Sequence, residues 1–207
     1  MKGRIVGMKK LGILGGRFDP IHIGHLMIGE CAYQEAGLDK VLIMPTGNPP
    51  HKNGSTITSF PIRRAMTELA IEDNPHFEFS DLEIKRQGII YTSDTLEILQ
   101  NMHKDAELYF IMGEDSLDYF DKWHEPDRIV ELARILVSVR SVNEDFVKKL
   151  QEMNAKYKNR FTMLKTPFVD ISSSDIRKRS SEGKTIRYMV KDKVAEYIEK
   201  EAIYKDV

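Results

Sequence analysis

The chain has 207 residues, of which 41% are hydrophobic and 30% charged, and its formal net charge at pH 7 is −1. These values are typical of a globular domain with a sizeable core, and no apolar run approaches the roughly 20 residues needed to cross a membrane. Because the net charge is close to zero, the molecule as a whole has no general attraction for nucleic acids, and any phosphate site has to be built locally.

The first ten residues, MKGRIVGMKK, are basic but contain no apolar stretch of signal-peptide length, so we expect a cytoplasmic protein. We treat residues 1–10 as an N-terminal extension, in which either Met1 or Met8 is the native start, and residues 11–207 as one domain. The single cysteine, Cys31, cannot form an internal disulfide, which agrees with a reducing compartment.

Short aliphatic stretches alternate with segments of helical periodicity along the chain. This alternation predicts an α/β fold, a single-domain Rossmann-like doubly wound parallel sheet with C-terminal helices. The predicted strands are residues 11–15, 40–45, 76–83, 107–113, 134–140 and 161–165. The predicted helices are residues 25–37, 61–73, 92–104, 126–133 and 143–157, followed by a helical C-terminal segment, 180–204. The buried stripe predicted in that segment comprises Met189, Val190, Val194, Tyr197, Ile198 and Ile203.

Local signals mark several segment ends and surfaces. Gly37 lies where a helix-terminating glycine is expected, and Pro126 lies where a first-turn proline is expected. The connection 45–60 has no periodicity, and a connection this long inside a compact domain is more often functional than idle. The basic clusters at 63–64 and 177–179 are, in the simplest interpretation, solvated helix faces.

The first predicted strand continues into GGRFDPIHIGH, residues 15–25. Ligands of open parallel sheets bind beyond the carboxyl ends of the strands, and glycines allow the backbone to approach a ligand closely. The next helix starts near Gly24, and the unpaired N–H groups of a helix start favour phosphate. His22 and His25 are three residues apart, so both imidazoles lie on nearly the same side and can face one anion.

Two other chemistries compete for this segment. The histidines could be a pair of metal ligands, but no carboxylate or third histidine lies at a companion spacing. Neither a G-x-G-x-x-G dinucleotide fingerprint nor a G-x-x-x-x-G-K-[ST] phosphate loop follows the first strand, which disfavours hydride transfer and P-loop hydrolysis.

GGRFDPIHIGHL resembles the G-x-F-D-P-x-H-x-G-H signature of the nucleotidyltransferase α/β phosphodiesterase superfamily, and ISSSDIRKR, residues 171–179, resembles its second signature, I-S-S-T-x-I-R. Within this superfamily the chain is most similar to the bacterial nicotinate mononucleotide adenylyltransferase family, on PTGNPPHK, YTSDTL, IMGEDSL and KWHEPDRI. The resemblance covers residue 11 to the C-terminal end. Two positions depart from the pattern. Arg17 replaces a Ser or Thr and either contacts phosphate or points to solvent, whereas Ser174 replaces a Thr and keeps a hydroxyl.

The resemblance implies an enzyme of NAD biosynthesis that joins ATP and nicotinate mononucleotide by direct in-line attack on the α-phosphate, releasing pyrophosphate. It implies Mg²⁺ held mainly by the ATP phosphates, with no protein metal ligand. The implied catalytic residues are His22, His25 and Arg177. The implied ATP-binding residues are Gly15, Gly16, Phe18, Gly24, Gly113, Asp115, Ile171, Ser172 and Ser173. The implied mononucleotide-binding residues are His51, Lys52, Thr92 and Trp123.

Several alternatives stay open at this point. Other enzymes with the HxGH element adenylylate nicotinamide mononucleotide or phosphopantetheine, or transfer cytidylyl groups to glycerol phosphate or choline phosphate. A non-catalytic sensor of adenine nucleotides is a hypothesis of a different class. The choice between nicotinate and nicotinamide and the oligomeric state, with a homo-oligomer as one option, are not determined by the sequence, and neither a nucleic acid nor a membrane is expected as a partner.

Overall fold

A computed structural model describes residues 9–47, 58–86, 88–139 and 141–205. Within these residues, six parallel strands form one sheet in the order β3-β2-β1-β4-β5-β6. The strands are β1 (Lys9–Gly16), β2 (Lys40–Pro45), β3 (Phe77–Phe79), β4 (Ala106–Gly113), β5 (Ala133–Val139) and β6 (Phe161–Lys165).

Helices connect the strands, as the βαβ alternation predicts. They are α1 (Ile23–Ala36), α2 (Phe60–Ile71), α3 (Thr92–Met102), α4 (Glu114–Leu117), α5 (Pro126–Leu132), α6 (Glu144–Lys156), α7 (Ser173–Ser181) and α8 (Asp192–Lys200). A short 3₁₀ turn, Phe120–Lys122, lies between α4 and α5. None of the helices in the described part of the chain is long and apolar enough to cross a membrane.

The sheet is covered on both faces. Successive side chains of a strand point to opposite faces, and in β1 Ile13 and Leu14 belong to different buried clusters. In β2, Ile43 packs in the cluster that contains Leu14, whereas Leu42 packs in the other cluster. The nearly continuous apolar strands are therefore buried on both sides, which is the environment that a doubly wound parallel sheet provides.

The strand order reverses between β1 and β4. The chain moves outward through β2 and β3, and then returns to place β4 on the other side of β1, where Leu14 pairs with Ile111. In open α/β sheets, the crevice at this reversal is the usual ligand site. The carboxyl ends of β1 and β4 therefore determine where a ligand is expected.

Two strand boundaries differ from the sequence predictions by two residues or more. β1 begins at Lys9, inside the predicted extension, while residues 1–8 lie outside the described residues. β3 ends at Phe79 instead of residue 83, because the backbone turns at once: the Ile84 N–H donates to the Asp81 carbonyl at 3.1 Å.

The C-terminal segment is not one helix. Within residues 180–204 the helical residues are the last two of α7 and all of α8, because Gly183, with φ of 68°, follows the end of α7 in a left-handed conformation. The predicted stripe is largely confirmed, since Val190, Val194, Ile198 and Ile203 are buried, while Met189 and Tyr197 are partly buried against the same cluster.

Gly37 gives a direct test of one turn. It ends α1 with φ of 61° and ψ of 46°, and its N–H donates to the Tyr33 carbonyl. A Cβ would meet no atom within 4 Å there, so the expected cost is conformational alone. Gly37→Ala should lower the free energy of unfolding by about 1–2 kcal/mol in urea denaturation. Gly37→Asn should cost less, because asparagine tolerates this conformation; equal losses in both variants would contradict the explanation.

Candidate active site

The loop after β1 is shaped by a close backbone approach. A Cβ at Gly16 would lie 2.5 Å from the ring of Phe18, so the loop can fold back in this way only with glycine at this position. Phe18 itself has φ of 48° and is 1% exposed. The loop then reaches His22, the N-cap of α1, in extended backbone, and the helix begins at Ile23, one residue before the predicted start near Gly24.

The two histidines form one unit at the start of α1. Their rings stack with centroids 3.7 Å apart and planes inclined by 24°. The His25 Nδ1 accepts the backbone N–H of His22 at 3.3 Å, so a neutral His25 ring carries its proton on Nε2. Phe18 supports this arrangement from the side, with its ring edge 5.0 Å from the His25 ring. The unit therefore offers an imidazole N–H donor beside the first turn of a helix.

The environment keeps His25 uncharged. Burial, and secondarily the nearby His22, hold the pKa of His25 well below its usual value. A bound anion would act in the opposite direction, because a negative charge nearby favours the imidazolium form.

The second signature packs directly onto this loop. Ser173, the first residue of α7, donates from Oγ to the Pro20 carbonyl at 2.9 Å, and Arg177 donates from Nη1 to the Asp19 carbonyl at 2.7 Å. Ser172 is the N-cap, and its Oγ accepts the N–H of Asp175 at 3.1 Å. The structure thus brings the two signatures together, although they are far apart in the chain.

Arg177 is oriented by two acceptors. Besides the Asp19 carbonyl, its Nη2 donates to the Ser174 Oγ at 3.2 Å. A guanidinium carries five N–H donors, so three remain after these two bonds. Ser174, where the pattern has threonine, keeps the hydroxyl that accepts from Arg177. Ile171 is partly buried against the core and anchors the segment before α7.

The predicted adenosine residues lie at the end of the neighbouring strand. Gly113 ends β4 and is the N-cap of α4, and a Cβ there would meet no atom within 4 Å. Asp115 lies in the first turn of α4 and is exposed. Because β4 pairs in parallel with β1, these residues lie at the same edge of the sheet as Gly15 and Gly16.

A cleft of about 660 Å³ adjoins the end of β1. Gly15, Thr92 and Trp123 all line it, so the structure brings Thr92 and Trp123 together beside the first signature. The Trp123 indole is partly exposed and packs against Phe120, with centroids 5.3 Å apart. The predicted residues His51 and Lys52 lie outside the described residues.

The start of α3 is open toward a ligand of this cleft. Thr92 is its first residue, and the N-cap Tyr91, whose ring stacks on His124 with centroids 4.0 Å apart, gives the helix no side-chain cap hydrogen bond. Tyr91 and His124 also line the cleft. The first-turn N–H groups of α3 are therefore available for an anionic group.

Arg63 is a residue of the site that the sequence prediction placed wrongly. It is 4% exposed instead of lying on a solvated face, whereas Arg64 forms an exposed ion pair with Glu68. Arg63 donates from Nη1 to the carbonyls of Arg17 at 2.7 Å and Thr46 at 3.0 Å. Burial lowers its pKa, and the carbonyls of two loops satisfy its charge. The signal was present in the sequence, because the buried positions of α2, residues 63, 66, 67, 70 and 71, recur at helical spacing.

The lowered pKa of His25 predicts a pH dependence. Below pH ~6.5, which is the usual pKa of histidine in an unfolded chain, His25 is protonated in the unfolded state and stays neutral in the folded state. This contribution to stability is therefore present above that pH and is lost as the pH falls. From pH ~7.5 to ~5, the free energy of unfolding should fall more for the wild type than for His25→Asn, whose side chain does not titrate. Identical pH profiles in urea denaturation would contradict the assignment.

Comparisons with known proteins identify the family of this chain. The sequence pattern of the cytidylyltransferase-like family matches residues 13–179. A relative from Thermomicrobium roseum, named "Probable nicotinate-nucleotide adenylyltransferase", is 44% identical over 200 residues, which cover 97% of this chain and 94% of the relative. A relative of the same name from Lachnoclostridium phytofermentans is 41% identical over 199 residues, which cover 95% of this chain and all of the relative.

Solved structures agree on the fold. The Plasmodium falciparum nicotinic acid mononucleotide adenylyltransferase complexed with APC superposes with a TM-score of 0.75 at 21% identity, and covers 95% of this chain and 98% of its own. The structure of that enzyme complexed with NaAD gives the same TM-score at 22% identity. At these identities the likeness supports the α/β fold alone. The family match and the curated relatives carry the assignment, and the chain belongs to the cytidylyltransferase-like family, among relatives named nicotinate-nucleotide adenylyltransferase.

Proposed function

We propose that this protein is a nicotinate-nucleotide adenylyltransferase that makes nicotinate adenine dinucleotide for NAD biosynthesis. A phosphate oxygen of nicotinate mononucleotide attacks the α-phosphorus of ATP and forms a new P–O bond. The bond from the α-phosphorus to the bridging oxygen breaks, and pyrophosphate leaves on the opposite side. The observation that carries the proposal is the direct contact of the two signatures, in which Arg177 meets the Asp19 carbonyl at 2.7 Å beside the paired histidines.

The site supports transfer by alignment and charge. No covalent intermediate is needed, because the nucleophile is already an ionised phosphate, and the protein has to hold the reacting groups in line and stabilise developing negative charge. His22 and His25 would donate to the α- and β-phosphates. Arg177, with Ser172 and Ser173 at the start of α7, would bind the β- and γ-phosphates, for which the guanidinium fork is well suited.

The ends of the two nucleotides have separate places in this proposal. Backbone at Gly113 would contact adenine, and the carboxylate of Asp115 would accept from ribose hydroxyls. The pyridine ring would stack on Trp123 in the cleft beside Thr92. Nicotinate is favoured over nicotinamide, since the uncapped start of α3 lines this cleft and its N–H groups and dipole favour a carboxylate.

Mg²⁺ enters with ATP in this proposal, bound mainly by phosphate oxygens and water, as this ion prefers. Among the described residues, no group of three or more His, Cys, Asp or Glu side chains could hold a metal ion. When bound, Mg²⁺ neutralises part of the triphosphate charge.

The function is tested by pyrophosphate release. The purified protein is incubated with Mg-ATP and one acceptor at a time: nicotinate mononucleotide, nicotinamide mononucleotide or phosphopantetheine. The same series is then repeated with CTP in place of ATP. The highest kcat/KM is expected for nicotinate mononucleotide with ATP. Release with none of the acceptors would favour a nucleotide sensor, and a preference for another pair would identify one of the other HxGH enzymes.

His22 is expected to act in the chemical step. His22→Ala should lower kcat by roughly 10²- to 10³-fold, because it removes one donor to the charge that develops during transfer. His103→Ala is a matched control, since His103 lies at the exposed end of α3, and it should leave kcat unchanged. A loss below about tenfold for His22→Ala would remove this residue from the mechanism.

Trp123 is expected to act in binding. Trp123→Ala should raise the KM for nicotinate mononucleotide about tenfold, because stacking of a base on an aromatic ring contributes on the order of 1–3 kcal/mol. Trp123→Phe should recover part of this loss, and the KM for ATP should change little in both variants. An unchanged KM for the mononucleotide would show that the indole does not contact the pyridine ring.

A further inference from the structure

The C-terminal segment reaches under the candidate phosphate site. Tyr204, which follows α8, donates its hydroxyl to the Asp19 Oδ1 at 2.8 Å. Both residues are buried, with 5% of Tyr204 and 1% of Asp19 exposed. The contact therefore joins the end of the chain to the turn between β1 and α1.

Asp19 is an acceptor shared by three parts of the chain. Its Oδ1 accepts from Tyr204, and its Oδ2 accepts from the backbone N–H of Thr58 at 3.2 Å. Its backbone carbonyl accepts from Arg177 at 2.7 Å. A buried carboxylate is costly unless its oxygens are hydrogen-bonded, and here the tyrosine hydroxyl is one of the side-chain partners.

The backbone at Tyr204 also indicates that this contact is specific. Tyr204 has φ of 71°, in the left-handed region that a tyrosine adopts only at an energetic cost. Favourable contacts have to offset that cost. The ring is buried beside Met66, whose sulfur lies 3.8 Å from the hydroxyl, and the preceding Ile203 packs in the core.

We propose that Tyr204 is a positioning residue for adenylyl transfer, which holds the turn at 17–20 through Asp19 so that the turn and Arg177 are preorganised for the triphosphate. This inference rests on the proposed function. Its physical basis is competition for Arg177. Without the tyrosine hydroxyl, the Asp19 carboxylate loses one donor and keeps the Thr58 N–H. Two guanidinium groups are close to Asp19: Arg63, which is already held by the carbonyls of Arg17 and Thr46, and Arg177, which is bonded to the Asp19 carbonyl and can turn toward the carboxylate. Arg177 would then be drawn away from the phosphates.

Calorimetry with a non-hydrolysable ATP analogue separates this role from a merely structural one. Tyr204→Phe keeps the ring and removes the hydroxyl, and it should raise the Kd for the analogue about tenfold with unchanged stoichiometry. A variant that only loses folded protein would instead lower the stoichiometry and keep the Kd of wild type. Tyr197→Phe is the matched control on α8, since the Tyr197 hydroxyl has no hydrogen bond among the described residues, and it should match wild type.

Kinetics and a second background complete the test. For Tyr204→Phe, kcat should fall by about 10- to 100-fold while the KM for nicotinate mononucleotide is unchanged, because none of residues 17–20 lines the mononucleotide cleft. In the Asp19→Ala variant the Tyr204 hydroxyl has no carboxylate to bind. Adding Tyr204→Phe to this variant should therefore change its Kd for the analogue by less than about twofold.

Three results would overturn the inference. The first is a Kd of Tyr204→Phe for the analogue within about twofold of wild type. The second is that Tyr204→Phe weakens analogue binding in the Asp19→Ala background as much as in wild type, and the third is that Tyr197→Phe weakens it as much as Tyr204→Phe does. Should the wild type bind the analogue but release no pyrophosphate, the proposed function fails, and the calorimetric comparison still decides the role of Tyr204.

Discussion

The hydrogen bonds from α7 to the turn after β1 are the constraint on which the candidate site depends. Arg177 and Ser173 donate to the carbonyls of Asp19 and Pro20, which are backbone acceptors in the middle of the first signature. Backbone carbonyls cannot rotate away independently, so each signature fixes the position of the other. The histidines, the start of α1 and the start of α7 are thereby held around one space before any ligand arrives, which is the condition for electrostatic preorganisation.

The sheet supplies the remaining geometry. Because β4 lies beside β1 at the reversal of strand order, the ends of these two strands present Gly16 and Gly113 at one edge. Arg63 then connects the loops after β1 and β2 by donating to the carbonyls of Arg17 and Thr46. A buried cation at this point is tolerated because several carbonyl oxygens surround it. The rigid sheet thus defines the crevice, and buried polar contacts fix the loops that line it.

Much of this arrangement was predictable from local patterns. β2 and β6 have the predicted bounds, because apolar runs of strand length are bounded there by turn signals. Both signatures were identified by their resemblance to the superfamily patterns. The length of β3 was overestimated, because strand propensity does not reveal where the backbone begins to turn. The contact between Asp19 and Tyr204 joins residues 185 positions apart. No local period encodes such a pair, which depends on tertiary packing such as that of α8 against α2.

The electrostatics of the histidine pair connect this architecture to catalysis. Burial, and secondarily the His22 ring stacked 3.7 Å away, disfavours a charge on His25, so the free site presents a neutral donor at this position. A neutral donor binds the triphosphate of the ground state less strongly than a fixed cation would. As negative charge moves onto the departing pyrophosphate, it favours proton sharing with the His25 ring, and the interaction strengthens. A site that gains attraction along the reaction lowers the barrier, whereas one that binds substrate and transition state equally does not.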